Sequence, residues 1–243
     1  MNRTITTLTA VIASALTLGV VAPAMSASAL PATGSGSGAT TACKGNNVKP
    51  AIHADAVKRE GTLGDLVAKL QARKDPFGLN GPQISTLQSA NSAIGALDSQ
   101  IASTCYASLA ALKADASKIW IDYRVYWLRV PQSHVIEASD WLSDARTHLG
   151  AAATKLAPLV GSNATAQADL AAMNQALSDA DAKLGVAPNA GPNVAASAAL
   201  APAPDMTHDT AVLNAAHADL LTVRSDLVTA RADGLKVVAD LQK

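Results

Sequence analysis

Near its end the chain repeats leucine every seven residues, at Leu213, Leu220, Leu227 and Leu241, with Gly234 as the exception. Three residues on from these, Ala216, Val223, Ala230 and Val237 occupy the second apolar position of the same heptad. Asp219, Asp226, Asp233 and Asp240 recur on one flank, and Arg224 and Arg231 lie across the seam from them. Two apolar heptad positions with charges at their margins specify a coiled-coil helix, here about Thr207 to Leu241. Such a helix gains its stability from the helices that cover its seam, so the chain needs several. Alanine and glycine within the seam let backbones approach closely, which predicts antiparallel neighbours and a narrow core.

The rest of the chain supplies those partners. From Gln83 the apolar positions Ile84, Leu87, Ile94, Leu97, Ile101, Leu112, Ala116, Ile119, Tyr123, Tyr126 and Val130 fall mainly at three- and four-residue steps, the pattern of one long amphipathic helix. Pro131 has no N–H to offer the carbonyl of Trp127, and Leu128 to Ser133 contains no glycine, asparagine or aspartate for a hairpin loop. A kink near Pro131 in a long central helix is therefore expected. Val135, Ala138, Leu142, Ala145, Leu149, Ala152, Leu156 and Leu159 continue the repeat, and Gly161-Ser162-Asn163 has the chemistry of a stop followed by an N-cap. Ala164 to Leu184 reads as the next helix. Upstream, Pro50 to Lys74 is helical, with Gly61-Thr62 and Asp65 suggesting an interruption and a capping box, and Asp75 to Pro82 is a turn. The fold class is all-α: an elongated antiparallel bundle or coiled coil of four to five helices, forming a single domain over 50–243 with an Ala/Pro-rich linker at 185–205.

The N-terminal residues have another role. Arg3, the uncharged apolar stretch Ile5 to Val21 and Ala27-Ser28-Ala29 have the order of a signal peptide over 1–29, and cleavage there leaves 214 of the 243 residues. An uncleaved anchor is the alternative, disfavoured by the cleavage site and the polar tract after it. No later stretch is apolar for long enough to cross a membrane. Residues 30–49, with Gly34-Ser35-Gly36-Ser37-Gly38, read as a flexible tether containing Cys43. In an oxidising compartment the pair Cys43 and Cys105 is expected to form a disulfide, with one connectivity available.

Charge and motifs narrow the function classes. Lys plus Arg and Asp plus Glu are equal at 19 each and are spread along the chain, so no basic face points to nucleic acid. A di-metal carboxylate centre needs inward glutamates and Glu-x-x-His pairs, whereas Glu60 and Glu137 are the only glutamates and His134 precedes Glu137. His134 and His148 stand about 21 Å apart on a straight helix and cannot share a metal. No nucleophile elbow or phosphate loop is present, and Asp144 with His148 reads as a plain helix-surface pair. No cofactor is expected, and Asn163-Ala164-Thr165, a glycosylation sequon by pattern, reads as a helix cap.

What remains is an aromatic cluster. Trp120, Tyr123, Tyr126, Trp127 and Trp141 are five of the chain's seven aromatic residues, and Arg124, Arg129 and His134 lie among them. Such a composition serves either a binding hot spot or a helix-packing core. On a regular helix Tyr123, Tyr126 and Trp127 form one patch running towards Trp120, with the arginines to its side. The ring side is thus expected to face the core and the arginine side a partner.

The segment Asp122 to His134, DYRVYWLRVPQSH, resembles a "DYRVYxLxxPxxH" block that recurs in uncharacterised exported proteins of high-GC Gram-positive bacteria. Asp209 with Val212-Leu213, and the run from Arg224 to Asp233, are similar to that group's C-terminal helix, which follows a proline-containing linker. The resemblance covers most of the mature chain and implies an exported, coiled-coil-like helical protein, with no activity attached. Cys43 and Cys105 stand outside its pattern, so the disulfide rests on compartment chemistry. The expected function is that of a secreted or envelope-associated non-enzymatic structural or binding protein, acting on itself or on an envelope protein or polymer. A membrane-active helical protein is the alternative, weakened by the near-zero net charge.

Overall fold

The computed structural model of this chain describes residues 43–185 and 206–243. The expected signal peptide over 1–29, residues 30–42 of the expected tether and residues 186–205 of the expected linker lie outside the described residues. Among those described, the chain is all-helical, with six α-helices and one π-helical segment. These are α1 (Lys49–Gln71), α2 (Asn80–Ser103), α3 (Leu109–Ile121), the π-helical segment Val125–Arg129, α4 (Val130–Leu156), α5 (Ala164–Leu184) and α6 (Met206–Asp240).

The helix expected to run unbroken from Gln83 to Val130 is instead divided twice. After Ser103 the backbone turns extended at Thr104 (ψ 131°), and Ser108 then starts α3 as an N-cap, its Oγ accepting from the Ala111 N–H at 3.1 Å. Between these residues Cys105 is disulfide-bonded to Cys43. The apolar repeat survives the break because α2 and α3 line the same core; periodicity reports which face is buried, and the chain reversal leaves it untouched. The second division lies at Asp122–Arg124, ahead of Pro131, which follows the π-helical turn as the second residue of α4. No interruption occurs at Gly61-Thr62: α1 is continuous, and Thr62 Oγ1 donates back to the Lys58 carbonyl at 2.9 Å.

Cross-helix hydrogen bonds give the order of packing. His53 meets Asp98 at 2.6 Å while the Asn80 amide reaches the Leu70 carbonyl, so α1 and α2 are antiparallel. Trp120 donates to Asp55 at 2.7 Å, Tyr126 lies beside Thr62 at 3.4 Å, and Arg73 donates to Glu137 at 3.1 Å. Thus α3, the π-helical segment and the start of α4 travel along α1 in one direction as a composite spine. Together α1, α2 and the spine make a three-helix bundle. Beyond it, Arg146 on α4 pairs with Asp181 on α5, Lys183 on α5 pairs with Asp219 on α6, and Asn163 donates to the Asp240 carbonyl. Arg124 pairs with Asp209 at the start of α6, so α6 runs parallel to the spine and a second three-helix bundle is built on it.

The apolar core divides accordingly. Leu63, Leu70, Leu87, Ile94, Ile119 and Ile136 belong to one cluster, and Leu149, Leu156, Met173, Leu177, Leu220 and Leu227 to the other. The heptad positions Leu213, Ala216, Leu220, Val223, Leu227, Ala230 and Val237 are all buried, as the sequence pattern requires. Where the bundles overlap, the spine is mostly covered: from Tyr123 to Arg146 every residue but Trp127 is buried or partly buried. Gln132, Ser133, Ser139, Asp140 and Ser143 are buried there with it. Backbone carbonyls satisfy part of the group, Ser133 donating to Arg129 and Ser139 to Val135, each at 2.8 Å.

Residues 44–48 are turns held against α2 and α3, an ordered end to what the sequence reads as tether. The Lys44 N–H donates to the Tyr106 carbonyl at 2.7 Å, and the Lys49 ammonium caps the carboxyl end of α2 at the Ala102 and Thr104 carbonyls, 3.1 and 2.7 Å away. Gly45 is left-handed (φ 82°) and lies so close to Leu112 that an added Cβ would overlap its Cδ2. Asn163 caps α5 by accepting from the Ala166 N–H, and Gly185 (φ 72°) closes it.

Candidate functional site

The segment singled out by its rings lies on the spine between the bundles, and its local backbone is irregular. Arg124 is left-handed (φ 44°, ψ 42°), the only non-glycine residue with positive φ among those described. A conformation of this kind costs an L-residue about 1–2 kcal/mol. From it the π-helical turn unfolds: Arg129 donates back five residues to the Arg124 carbonyl at 3.3 Å, and Val130 donates to Val125. One extra residue in the turn shifts the angular position of everything it carries. Val125 and Leu128 are buried, and Trp127 is turned out to solvent at 60 % exposure.

This rearrangement corrects the expected division into a ring core and an arginine surface. Regular spacing would have stacked Tyr123, Tyr126 and Trp127, but the left-handed residue and the π-turn separate Trp127 from the other two. Trp120, Tyr123 and Tyr126 are partly buried against the first cluster. The Trp120 indole N–H donates to Asp55 at 2.7 Å, and Asp55 also accepts from Arg59 Nε at 2.7 Å. The Arg59 guanidinium covers the Tyr126 ring, 4.8 Å from its centre. Asp55 and Arg59 on α1 therefore complete the ring site, and nothing in their spacing in the sequence tied them to it.

The arginines have moved the other way. Arg124 is 14 % exposed, and its Nη1 donates to Asp209 Oδ2 at 2.6 Å, where Asp209 is 7 % exposed. Arg129 is half-buried, its Nη1 donates to Gln132 at 3.3 Å, and its Nε is buried without a hydrogen-bond partner. Burial, and then the charge of Arg124, push its guanidinium below the ordinary arginine range, while Asp209 acts in the opposite sense. The segment thus fastens the spine to α6. His134 is half-exposed with Nδ1 3.7 Å from Glu137, which Arg73 also contacts while lying over the Trp141 ring at 5.2 Å. His134 belongs to this neighbouring surface, apart from the two arginines.

Cys43 and Cys105 form the expected disulfide, with Cα atoms 4.8 Å apart. Close by, burial, and then the hydrogen bond that the Tyr106 hydroxyl donates to Asp115 at 2.9 Å, raise that hydroxyl above its usual range. Elsewhere a groove of about 530 Å³ lies between α4 and α5, lined by Arg146, Gly150, Thr154, Asn174, Ser178 and Asp181. The Arg146 guanidinium bridges it in a two-pronged pair with Asp181, and Gly150 leaves room for that group, since an added Cβ would lie 3.0 Å from Nη1. Among the described residues no cluster of histidine, cysteine or acidic side chains is arranged to hold a metal ion, and no helix is long and apolar enough to cross a membrane. No family model, curated protein or solved structure matches the chain.

Proposed function

We propose that this chain is an exported, non-enzymatic scaffold or binding protein of the cell envelope or extracellular space, and that Trp127 anchors its contact with a partner. The observation that carries this reading is one exposed tryptophan in a stretch, Tyr123 to Arg146, whose other residues are buried or partly buried. Burying an indole is worth several kcal/mol, and a rigid ring is the side chain that interface hot spots favour. Unusual backbone that holds a side chain outward, against its own hydrophobic preference, is what functional positions tend to show. The disulfide supports export, because such bonds persist in oxidising compartments. The resemblance of Asp122 to His134 to exported helical proteins points the same way.

Two measurements test the proposal. N-terminal sequencing of protein recovered outside the cell should begin at Leu30; recovery only as full-length protein in the cytosol would refute export. Sedimentation velocity of the mature protein, with and without isolated envelope, should show association that Trp127→Ala removes without lowering the melting temperature. Association equal in both proteins would refute the anchor. Dye release from liposomes that depends on Trp127 would replace the scaffold reading with membrane activity.

A further inference from the structure

The overlap of the two bundles contains a buried pair of side chains with an incomplete hydrogen-bond pattern. Asp140 on α4 is 5 % exposed and Asn80, the first residue of α2, is 4 % exposed. Asn80 Nδ2 donates to Asp140 Oδ2 at 3.0 Å, and the Leu70 and Lys74 carbonyls, each at 3.4 Å, lie around the same nitrogen. Three acceptors about one atom fix the amide orientation, since the reverse would set oxygen against oxygen. The remaining oxygens, Asp140 Oδ1 and Asn80 Oδ1, are both buried without a donor. Two orphan acceptors on partners already joined by one hydrogen bond are a pair that lacks one proton. A carboxylic acid and a primary amide form two hydrogen bonds to each other, amide N–H to acid carbonyl and acid O–H to amide carbonyl. An ionised acid makes only the first.

We infer that Asp140 and Asn80 are a proton-operated latch between the start of α2 and the spine. Uptake of one proton by Asp140 completes the acid–amide pair, and loss of that proton leaves a buried carboxylate held by a single neutral hydrogen bond. The charged groups acting on Asp140 are Asp75 and Arg73 from the α1–α2 loop and Glu137 on its own helix. Arg73 is engaged with Glu137 at 3.1 Å, and the Leu79 and Asn80 backbone N–H groups donate to Asp75, holding its carboxylate at the same corner. Burial is the leading cause that raises the Asp140 carboxyl to about 6, with Asp75 and Glu137 adding to it and the Asn80 bond and Arg73 opposing.

The sign follows from linkage. Between the unfolded value of 3.8 and about 6, the folded chain holds a proton that the unfolded chain has released, so folding weakens as pH rises through that window. Below it the latch is closed and contributes fully; above it the latch is open. Asp144 and Asp240, held low by hydrogen bonds from Lys74 and Lys243 first of all, act oppositely and only at lower pH.

Carbon-13 titration of the aspartate carboxyls in the intact wild-type protein, assigned through the backbone, tests the proton directly. Asp140 should titrate at about 6, a proton affinity about a hundred-fold above that of an ordinary aspartate. Titration with the exposed aspartates would overturn the proposal. Amide exchange, corrected for its intrinsic pH dependence, tests the latch: the amides of Asn80, Gly81 and Gln83 in the first turn of α2 should become better protected on going from pH 7.5 to 5. Unchanged protection there, even with Asp140 titrating at about 6, would overturn the latch. Asp140→Asn, an uncharged mimic of the closed pair, should melt higher than wild type at pH 7.5, and the two melting temperatures should converge as pH falls to 5. A constant difference would contradict the proposal.

Discussion

Trp127 and Arg124, three residues apart, occupy environments that reverse the usual preference of their side chains. The exposed indole has little packing to lose, so Trp127→Ala should change stability by less than about 0.5 kcal/mol in urea titration. Arg124 is nearly buried and paired with Asp209 at 2.6 Å. Arg124→Ala removes the guanidinium from a buried carboxylate and should cost about 3 kcal/mol in the same titration, an ordering of the two residues opposite to that expected from a regular helix. Arg124→Lys should recover only part of this, because an ammonium does not reproduce the planar donor set. The sequence displays the cluster of residues plainly enough. What it hides is the phase of the helix that carries them, because a left-handed arginine leaves no compositional mark as a glycine would. The partners Asp55 and Arg59 are also hidden, lying a helix away.

At the scale of the helices, most of the pattern was legible. The heptad of α6 places its C-terminal end within a residue of Asp240, and Asn163 read as an N-cap places the start of α5 at Ala164, because caps and buried seams are local devices. The break between α2 and α3 was not legible, since Thr104 to Ser108 contains neither glycine nor proline and the apolar spacing continues across it. Ser108 as an N-cap was the one local signal available. The disulfide fixes this break to the start of α1 across 62 residues, and closing a loop of that size is worth about 4 kcal/mol in the chain-entropy picture. Replacing both Cys43 and Cys105 by alanine should lower the unfolding free energy by up to that amount in denaturant titration, and amide exchange at Lys44 and Lys49 should accelerate. Gly45→Ala should destabilise as well, because the residue is left-handed and its Cβ would meet Leu112.

Across the whole molecule, the spine is the element on which everything else depends. Each bundle alone would leave one side of α4 uncovered, and the apolar residues there divide between the two cores, Ile136 in one and Val135 in the other. Unfolding of one bundle therefore exposes surface of the other. Leu63→Ala in the first core and Leu227→Ala in the second should each cost about 2–5 kcal/mol and each shift one shared calorimetric transition, with no second transition separating from it. Alanine-rich helices bury little area apiece, and a shared helix is how this chain keeps every apolar face covered. Native-state amide exchange resolved to single residues tests the shared spine most directly. The slowest amides should lie on α4 between Gln132 and Ala145, and both bundles should exchange at their slowest sites with one common free energy. Maximal protection confined to α5 and α6, with the Gln132 to Ala145 amides exchanging faster than either bundle's core, would contradict it.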